Sequence, residues 1–262
     1  MPKSAKTEFR RTNPVSDPHP LKGIRDRGIK PLSALFGNNH RLYSVVFSNG
    51  TNRYLKIYRR LFKTFGPQRW WPADSAFEVM VGAILTQNTN WTGAARALRN
   101  LKRAGLLIPR KMLLHRRSLP SLIRTAGYYN LKTERLVNFL KYYVGRYGGR
   151  ICGFRSVPTQ RIRRELLAVK GIGPETADSI LLYALQRPVF VVDTYTRRVF
   201  TRHHIFSEGL NDNDIRRLFE NNLPRRPRIY NEYHALIVRL GKEYCKKNEP
   251  LCADCPLRDV YN

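Results

Sequence analysis

The spacing of apolar residues is the clearest signal in this chain. From about Asn52 onward they recur every three or four positions, which is typical of helices that bury one face. Apolar and polar residues nowhere alternate for long enough to indicate a sheet, so the pattern predicts an all-α fold. Ser75 and Glu78 have the spacing of a capping box ahead of the apolar run 79–85, which predicts a buried helix over 75–87.

Capping and turn residues divide the rest of this region into further helices. Asn90 is suited to cap a helix that ends near Gly105, while Gly127 and Gly148 or Gly149 are suited to end two later ones. The other predicted helices cover residues 118–126, 131–147, 160–169, 174–185, 194–203, 212–222 and 228–246.

The stretch 166–178 joins two of these helices through a short turn that contains two glycines. Gly171 and Gly173 allow backbone torsions and close approaches that a β-carbon forbids, and Pro174 suits the first position of the following helix. Free amides at that helix start are a ready site for a phosphate. Ile172 is predicted to pack into the core. An ordinary packing corner between two helices is the alternative interpretation.

A short apolar run, 188–192, ends at Asp193, where the next predicted helix begins. An aspartate at a helix start is most often a simple N-cap. Here, however, the order of hairpin, helix, buried run and Val-Asp-Thr resembles the helix-hairpin-helix DNA glycosylase superfamily, whose best-known member is endonuclease III. The resemblance extends over about residues 61–261. It implies a two-lobed helical fold with a C-terminal cysteine loop.

The resemblance also implies a chemical role for the aspartate. The carboxylate that matches Asp193 is essential in that family, because a fixed anion stabilises the positive charge left on the deoxyribose when a base departs. It can also activate water as a base. Members that cut the DNA backbone carry a Schiff-base lysine where this chain has Glu175. Lys170 is interpreted as a phosphate contact, with a substitute nucleophile as the alternative. Because the matching amine is missing at position 175, the expected chemistry is hydrolysis by water that yields a free base and an abasic site.

Net charge supports nucleic acid as the partner. The 48 Lys and Arg residues exceed the 19 Asp and Glu residues by 29, and the sequence pI is near 10.6. No apolar run approaches the roughly 18 residues of a membrane-spanning helix. We therefore expect a soluble, cytoplasmic, nucleoid-associated monomer that binds double-stranded DNA and no membrane.

The chain divides into three predicted regions. Residues 1–50 form a basic, loosely structured arm, for which a transit peptide is the rival interpretation. Residues 51–242 form the glycosylase domain that contains the hairpin, and residues 243–262 form the cysteine-containing loop.

Three tryptophans carry the resemblance to one branch of the superfamily. Trp70-Trp71-Pro72 and the segment 85–91, which ends in Trp91, are similar to bacterial 3-methyladenine DNA glycosylase. The resemblance implies that Trp70 or Trp71 and Trp91 sandwich a flipped cationic purine through stacking and cation–π attraction. Taken singly, each tryptophan is more often a packing anchor.

The same resemblance assigns three further side chains. Gln87 matches a side chain that enters the gap left by the extruded nucleotide, and Tyr128 matches a wedge on the opposite strand. Lys242 matches a lysine that faces the base pocket. The alternatives are a polar helix end for Gln87, a buried tyrosine at Tyr129 in the same turn, and a solvated lysine at position 242.

The C-terminal cysteines predict a metal site with an incomplete ligand set. Cys245, Cys252 and Cys255 have the Cys-x6-Cys-x2-Cys spacing that opens the iron–sulfur loop of endonuclease III. The fourth cysteine of that loop is replaced here by Tyr261, and Cys152 is remote in sequence. The absence of a secretory signal favours metal ligation over disulfides.

Three interpretations of this loop remain open. It binds a 4Fe-4S cluster with one non-cysteine ligand, or a zinc ion completed by a histidine such as His234, or it is held by packing alone. The three cysteines and the flanking Pro250 and Pro256 favour the cluster.

Taken together, the residues predict a monofunctional glycosylase of base excision repair that flips and removes alkylated purines resembling 3-methyladenine. One alternative is a bifunctional glycosylase and lyase for oxidised pyrimidines, which Glu175 opposes. The other is a helix-hairpin-helix module that binds DNA without chemistry.

Overall fold

The structure is a computed structural model that describes residues 52–207 and 209–260. These residues form helices, turns and loops and contain no strand, which confirms the predicted all-α fold. The basic arm 1–50 and Tyr261, which were singled out from the sequence, lie outside the described residues. Within the described ranges, no helix has both the length and the apolar character needed to cross a membrane.

Eleven α-helices are numbered here in chain order across the part of the chain that the structure describes. They are α1 (Arg53–Phe65), α2 (Ala76–Leu85), α3 (Trp91–Arg103), α4 (Pro109–Leu114), α5 (Leu119–Leu122), α6 (Tyr129–Tyr147), α7 (Thr159–Leu167), α8 (Pro174–Ser179), α9 (Thr194–Arg202), α10 (Asp212–Asn222) and α11 (Pro227–Glu243). Short 3-10 turns cover Arg116–Ser118, Arg124–Ala126 and Ile151–Phe154.

The predicted capping residues start their helices. The Ser75 hydroxyl accepts a hydrogen bond from the Glu78 amide at 3.1 Å, and the Asn90 side chain accepts one from the Gly93 amide at 3.0 Å. The Glu78 carboxylate accepts from the amide of Asp74 and not from that of the cap residue. Local hydrogen bonding of this kind is readable from sequence, so these two helix starts are confirmed.

Two predicted helices are more irregular than their patterns indicate. The segment 118–126 is divided into the single turn α5 between two 3-10 turns. Helix α8 continues into a π-helical turn, Ile180–Ala184, where the Leu185 amide donates to the Ile180 carbonyl at 3.0 Å. All five side chains of the π turn are buried, so packing on every side decides its geometry.

The helices form two groups that meet at α8 and its π turn. Helices α2 to α6 pack on one another in the first group, and α1, α9, α10 and α11 pack in the second. The π turn contacts α2 on one side and α11 on the other. The two-lobed arrangement agrees with the prediction. It brings the hairpin, the end of α2 and the start of α9 to one place.

A buried lysine supports the end of α2. Lys132 of α6 is 1% exposed, and its ammonium donates to the carbonyls of Leu85 and Ala126 at 2.8 and 2.7 Å. Burial, with a smaller contribution from Arg135, lowers the pKa of Lys132 to about 8. The cation satisfies carbonyls that would otherwise lack a partner at the end of the helix.

Candidate active site

An open cleft of about 620 Å³ lies where α2, the hairpin and the start of α9 converge. Its walls include Gln87, Arg135, Gly171, Glu175, Asp193 and Asp212. The hairpin and the aspartate that were singled out from the sequence therefore face one space. Polar side chains from several elements converge in it, as expected of a site for a ligand with specific chemistry.

Asp193 is held at the start of α9. The run before it is buried, and Phe190 of that run stacks on Phe219 of α10 with ring centroids 3.9 Å apart. One carboxylate oxygen, Oδ1, accepts from the amide of Thr196 at 2.7 Å, which makes Asp193 an N-cap as well as a cleft residue. The N-cap interpretation and the functional one are therefore compatible.

His234 of α11 accompanies this carboxylate, and the sequence did not predict that contact. Its Nε2 lies 3.5 Å from Asp193 Oδ2, which is an electrostatic contact longer than a normal hydrogen bond. Burial raises the pKa of Asp193, but His234 and the Thr196 amide outweigh burial and hold that pKa below its usual value. Asp193 is therefore a carboxylate at neutral pH although its side chain is only 9% exposed.

Tyr183 in the π turn completes a buried chain of three polar groups. Its hydroxyl forms a hydrogen bond with His234 Nδ1, and burial keeps the pKa of this tyrosine well above its ordinary value. The neutral tyrosine donates to Nδ1, which leaves a ring proton on the Nε2 that faces Asp193. Both ring nitrogens of His234 are thus engaged here, and the hypothesis that it completes a zinc site in the cysteine loop is wrong.

The two hairpin glycines differ in what they require. Gly171 has φ +93°, and a β-carbon there would lie 2.4 Å from Cγ of Arg135. Gly173 has φ −90°, and a β-carbon added there would meet no atom of the described residues within 4 Å. Ile172 is 4% exposed, which confirms that it packs into the core. The hairpin needs glycine at 171 for its own fold, whereas position 173 leaves room for an approaching molecule.

Replacing these glycines separates the two roles. We expect Gly171→Ala to lower the free energy of unfolding by about 1–3 kcal/mol, because both the positive φ and the Arg135 contact oppose a β-carbon. The matched variant Gly173→Ala should keep the native melting temperature and change only DNA affinity. Thermal unfolding and salt-dependent DNA titration measure both; equal melting temperatures for the two variants would contradict this account.

Gln87 ties the end of α2 to the hairpin. Its amide nitrogen donates to the Gly171 carbonyl at 3.0 Å and to the Thr176 hydroxyl at 2.8 Å, while Arg135 donates to its Oε1 at 2.7 Å. The predicted insertion of Gln87 into DNA requires these hydrogen bonds to break. Arg135 itself was missed, because nothing in its sequence neighbourhood on α6 indicates a contact with the hairpin.

The other predicted DNA contacts lie at the surface. Tyr128 is 70% exposed, has φ +46°, and precedes α6. Lys170 is also exposed, and its ammonium is 2.8 Å from Glu134 Oε1. The ring of Tyr128 is accessible to DNA and its role as a wedge stays a prediction, whereas Lys170 must exchange an ion pair to bind a phosphate.

The three tryptophans form one cluster, as the sequence resemblance implies, but not an open sandwich. The ring centroids of Trp70 and Trp91 are 5.1 Å apart with an angle of 65° between the planes, and Trp71 is 5.2 Å from Trp91. Two parallel rings must lie about 7 Å apart to hold a base between them, which is twice the roughly 3.5 Å of a van der Waals contact. Trp71 also contacts Tyr183 at 5.5 Å between centroids, which connects the cluster to the Asp193 group.

No contact among the described residues brings Lys242 to this cluster. It is exposed in the last turn of α11, eight residues beyond His234. Eight helical residues correspond to about 12 Å along the axis. The pocket-facing role implied by the resemblance therefore stays a prediction.

Comparison with known proteins agrees with this arrangement. The sequence profile of the HhH-GPD superfamily of base excision DNA repair proteins matches residues 81–225, which include the hairpin and Asp193. The chain belongs to this superfamily. It is a DNA glycosylase of base excision repair, and its resemblance to endonuclease III is confirmed.

Three similar proteins illustrate the relationship. A Methanocaldococcus jannaschii protein, provisionally named as a DNA repair glycosylase, is 48% identical over 206 residues, or 78% of this chain and 93% of that protein. The H. pylori 3-methyladenine DNA glycosylase bound to 1,N6-ethenoadenine superposes with a TM-score of 0.61 at 28% identity, covering 72% and 97% of the two chains. An endonuclease III–DNA complex has a TM-score of 0.65 at 20% identity, with 80% and 94% covered, and shows the shared fold.

The cysteine loop of this glycosylase packs against α9. Cys245 and Cys255 are buried and Cys252 is exposed, and all three are free thiols. Burial, together with the neighbouring Cys245 and Cys252, raises the pKa of the Cys255 thiol. His203 Nε2 lies 3.9 Å from the Cys255 sulfur.

The donor set does not fit a four-thiolate cluster. A four-iron cluster normally takes four thiolates, and the loop supplies three. Within the described ranges, no three His, Cys, Asp or Glu side chains are arranged to hold a metal ion.

Arginines of α9 fasten the loop through its backbone. Arg198 donates to the carbonyls of Gly241 and Cys245 at 3.0 and 2.7 Å. Arg202 donates to the carbonyls of Lys246 and Lys247 at 2.6 and 2.9 Å. The loop is therefore joined to the helix whose N-cap is Asp193.

Proposed function

We propose that this glycosylase hydrolyses the N-glycosidic bond of alkylated purines, 3-methyladenine-like bases above all, in double-stranded DNA and leaves the backbone intact. The observation that carries the proposal is the Asp193 carboxylate held by Thr196 and His234 in a cleft beside the hairpin, with Glu175 where strand-cutting relatives have a lysine. The H. pylori protein of similar fold, 28% identical, supports the substrate class by its name and its bound base.

Asp193 suits a hydrolysis whose transition state carries positive charge on the deoxyribose. As the bond to the base lengthens, positive charge develops on the deoxyribose, and a carboxylate fixed by Thr196 and His234 lowers the energy of that state without reorganising. The same carboxylate is placed to accept a proton from an attacking water. Because no lysine is among the residues that line the described cleft, a Schiff-base route has no amine there.

The tryptophan cluster supports recognition of an electron-poor base. Indole faces attract a cationic purine through stacking and cation–π interaction, so Trp70, Trp71 and Trp91 are proposed to separate and enclose it. The buried Nε1 of Trp71 has no hydrogen-bond partner among the described residues. That donor is available to an acceptor on the base.

The proposed partner is a DNA duplex bound by one copy of the chain. The net charge of +29 favours the phosphate backbone, and the hairpin offers exposed backbone at Gly173. Gln87 is proposed to enter the space left by the flipped nucleotide, and Tyr128 to act as a wedge on the opposite strand. The cysteine loop is proposed as a brace for α9; about four iron and four sulfide per chain in protein purified without oxygen would contradict this role.

Release of bases from methylated duplex DNA tests the proposal. We expect the native protein to release 3-methyladenine, identified by mass spectrometry, and to leave abasic sites in an uncut strand. Borohydride added during the reaction should trap no covalent protein–DNA adduct, because the cleft lacks a lysine.

An authentic endonuclease III, assayed with an oxidised pyrimidine, serves as the positive control for trapping. A trapped adduct with the native chain would overturn the hydrolytic mechanism. Failure to release any base from a panel of alkylated, oxidised and deaminated lesions would overturn the proposed substrate class.

A further inference from the structure

Two carboxylates share the cleft, and their surroundings differ. Asp193 is enclosed and contacted by the Thr196 amide and His234. Glu175, in the first turn of α8, is exposed to the cleft, and no group within residues 52–207 and 209–260 donates a hydrogen bond to it. One carboxylate is therefore fixed and the other is free to contact a bound molecule.

The cations around Glu175 are engaged elsewhere. Arg197 of α9 binds the Asp212 carboxylate at 2.8 Å and the Leu210 carbonyl at 2.8 Å. Arg135 of α6 binds Gln87. The imidazole of His234 in α11 lies against Asp193.

The surroundings of Glu175 favour its neutral form. Burial by the cleft walls and the negative charge of Asp193 raise the pKa of Glu175 to about 7. Asp212 adds a smaller upward contribution, and His234 lowers this pKa by less than the others raise it. The side chain remains solvent-accessible, so it exchanges protons with water through the open cleft. Two carboxylates of opposite protonation in one site are a recurrent arrangement for acid and base roles.

We propose that Glu175 is a general acid that protonates a departing uncharged base, so that this site removes neutral damaged bases in addition to cationic methylpurines. The inference rests on the proposed hydrolytic function. It is independent of the tryptophan cluster, which concerns binding of the base.

The bond between the sugar C1′ and the base nitrogen breaks, its electron pair stays with the base, and the Glu175 proton moves to the base, which leaves neutral. Water adds to C1′ and gives a proton to Asp193. Exchange with solvent then returns Asp193 to its anion and Glu175 to its acid. A base that already carries a positive charge needs no such proton, so the acid matters only for uncharged leaving groups.

Paired substrates and one substitution test the proposal. Single-turnover rates from pH 5.5 to 8.5 are measured on duplexes with a cationic lesion, 7-methylguanine or 3-methyladenine, and with a neutral one, 1,N6-ethenoadenine or hypoxanthine. For Glu175→Gln, we expect the ratio of neutral-base to cationic-base rates at pH 6 to fall by at least about tenfold, since general acids contribute roughly 10²–10⁴-fold.

The pH profile supplies a second, independent measurement. With the native protein, neutral-base release should decline above about pH 7 as Glu175 ionises, whereas release of cationic bases should not show that decline. Glu175→Gln should abolish the decline. The control Glu243→Gln replaces an exposed carboxylate that pairs with Arg239 and should match the native protein in every respect.

The outcomes distinguish this inference from the proposed function. An unchanged rate ratio in Glu175→Gln, or a native neutral-base profile without the decline, would overturn the role of Glu175 while base release itself stands. Release of cationic bases without any release of neutral ones would also overturn the role of Glu175. No release of any base would overturn both the inference and the proposed function.

Discussion

Asp193→Asn is expected to reduce the single-turnover rate of base release by about 10³-fold, the order of magnitude lost when one electrostatic contact to a transition state is removed. The amide retains the shape and can still accept from the Thr196 amide, so α9 keeps its N-cap. What it loses is the negative charge that faces the developing cation. DNA affinity should stay equal or rise, because an anion has been removed from the binding cleft.

Three measurements separate this prediction from a folding defect. The melting temperature should not fall, because the neutral amide also avoids the cost of burying a charge. The native rate on cationic lesions should be flat between about pH 5 and 8, since the pKa of Asp193 lies below its ordinary value. A rate for Asp193→Asn within tenfold of native would remove Asp193 from the mechanism.

His234→Leu is expected to have the second-largest effect. It leaves the Asp193 carboxylate buried without its partner, and the Tyr183 hydroxyl without its acceptor. Breaking such a buried pair costs about 3 kcal/mol of stability. Without His234 to oppose it, burial raises the pKa of Asp193. The carboxylate then protonates at a higher pH, and we expect the catalytic rate to fall by about 10–100-fold.

The direction of the pH change identifies a positioning role. Protonation removes the catalytic anion, so the rate of His234→Leu should decline on the acid side at a higher pH than in the native protein. His234→Gln can accept from Tyr183 and donate to Asp193, and should restore most of the rate. A purely structural role for His234 predicts lower stability with an unchanged pH profile, which would refute the electrostatic account.

Local chemistry explains which parts of the fold could be predicted. Ser75, Asn90 and Asp193 cap helices through contacts with residues three positions away, and such contacts are visible in the sequence. The need for glycine at position 171 and the burial of Ile172 could both be predicted from the geometry of a tight turn between two helices. The all-α fold follows from apolar periodicity alone.

The parts that could not be predicted depend on tertiary packing. Gln87 meets the hairpin carbonyl across 84 positions of sequence, and His234 reaches Asp193 from a different helix. Neither residue has a local signal for that contact. The π turn after α8 likewise depends on neighbours on both sides, which periodicity does not register.

The mutual packing of the tryptophan rings is a similar case. Sequence resemblance indicates that Trp70, Trp71 and Trp91 lie near one another, as observed. The angles between the rings depend on the backbone around them and on Gly82, where a β-carbon would lie 3.0 Å from Trp71. Only the structure shows that the rings contact each other directly.

The fastening of α9 determines how short a functional version of this enzyme can be. Arg198 and Arg202 bind main-chain carbonyls of residues 241–247, so replacing the cysteine side chains leaves these anchors intact. Lys56 and Arg60 of α1 bind the carbonyls of Val260 and Pro256, which ties the far end of the segment to the same half of the protein. A truncation after α11 would remove these contacts, so we expect the smallest stable catalytic fragment to include the C-terminal segment.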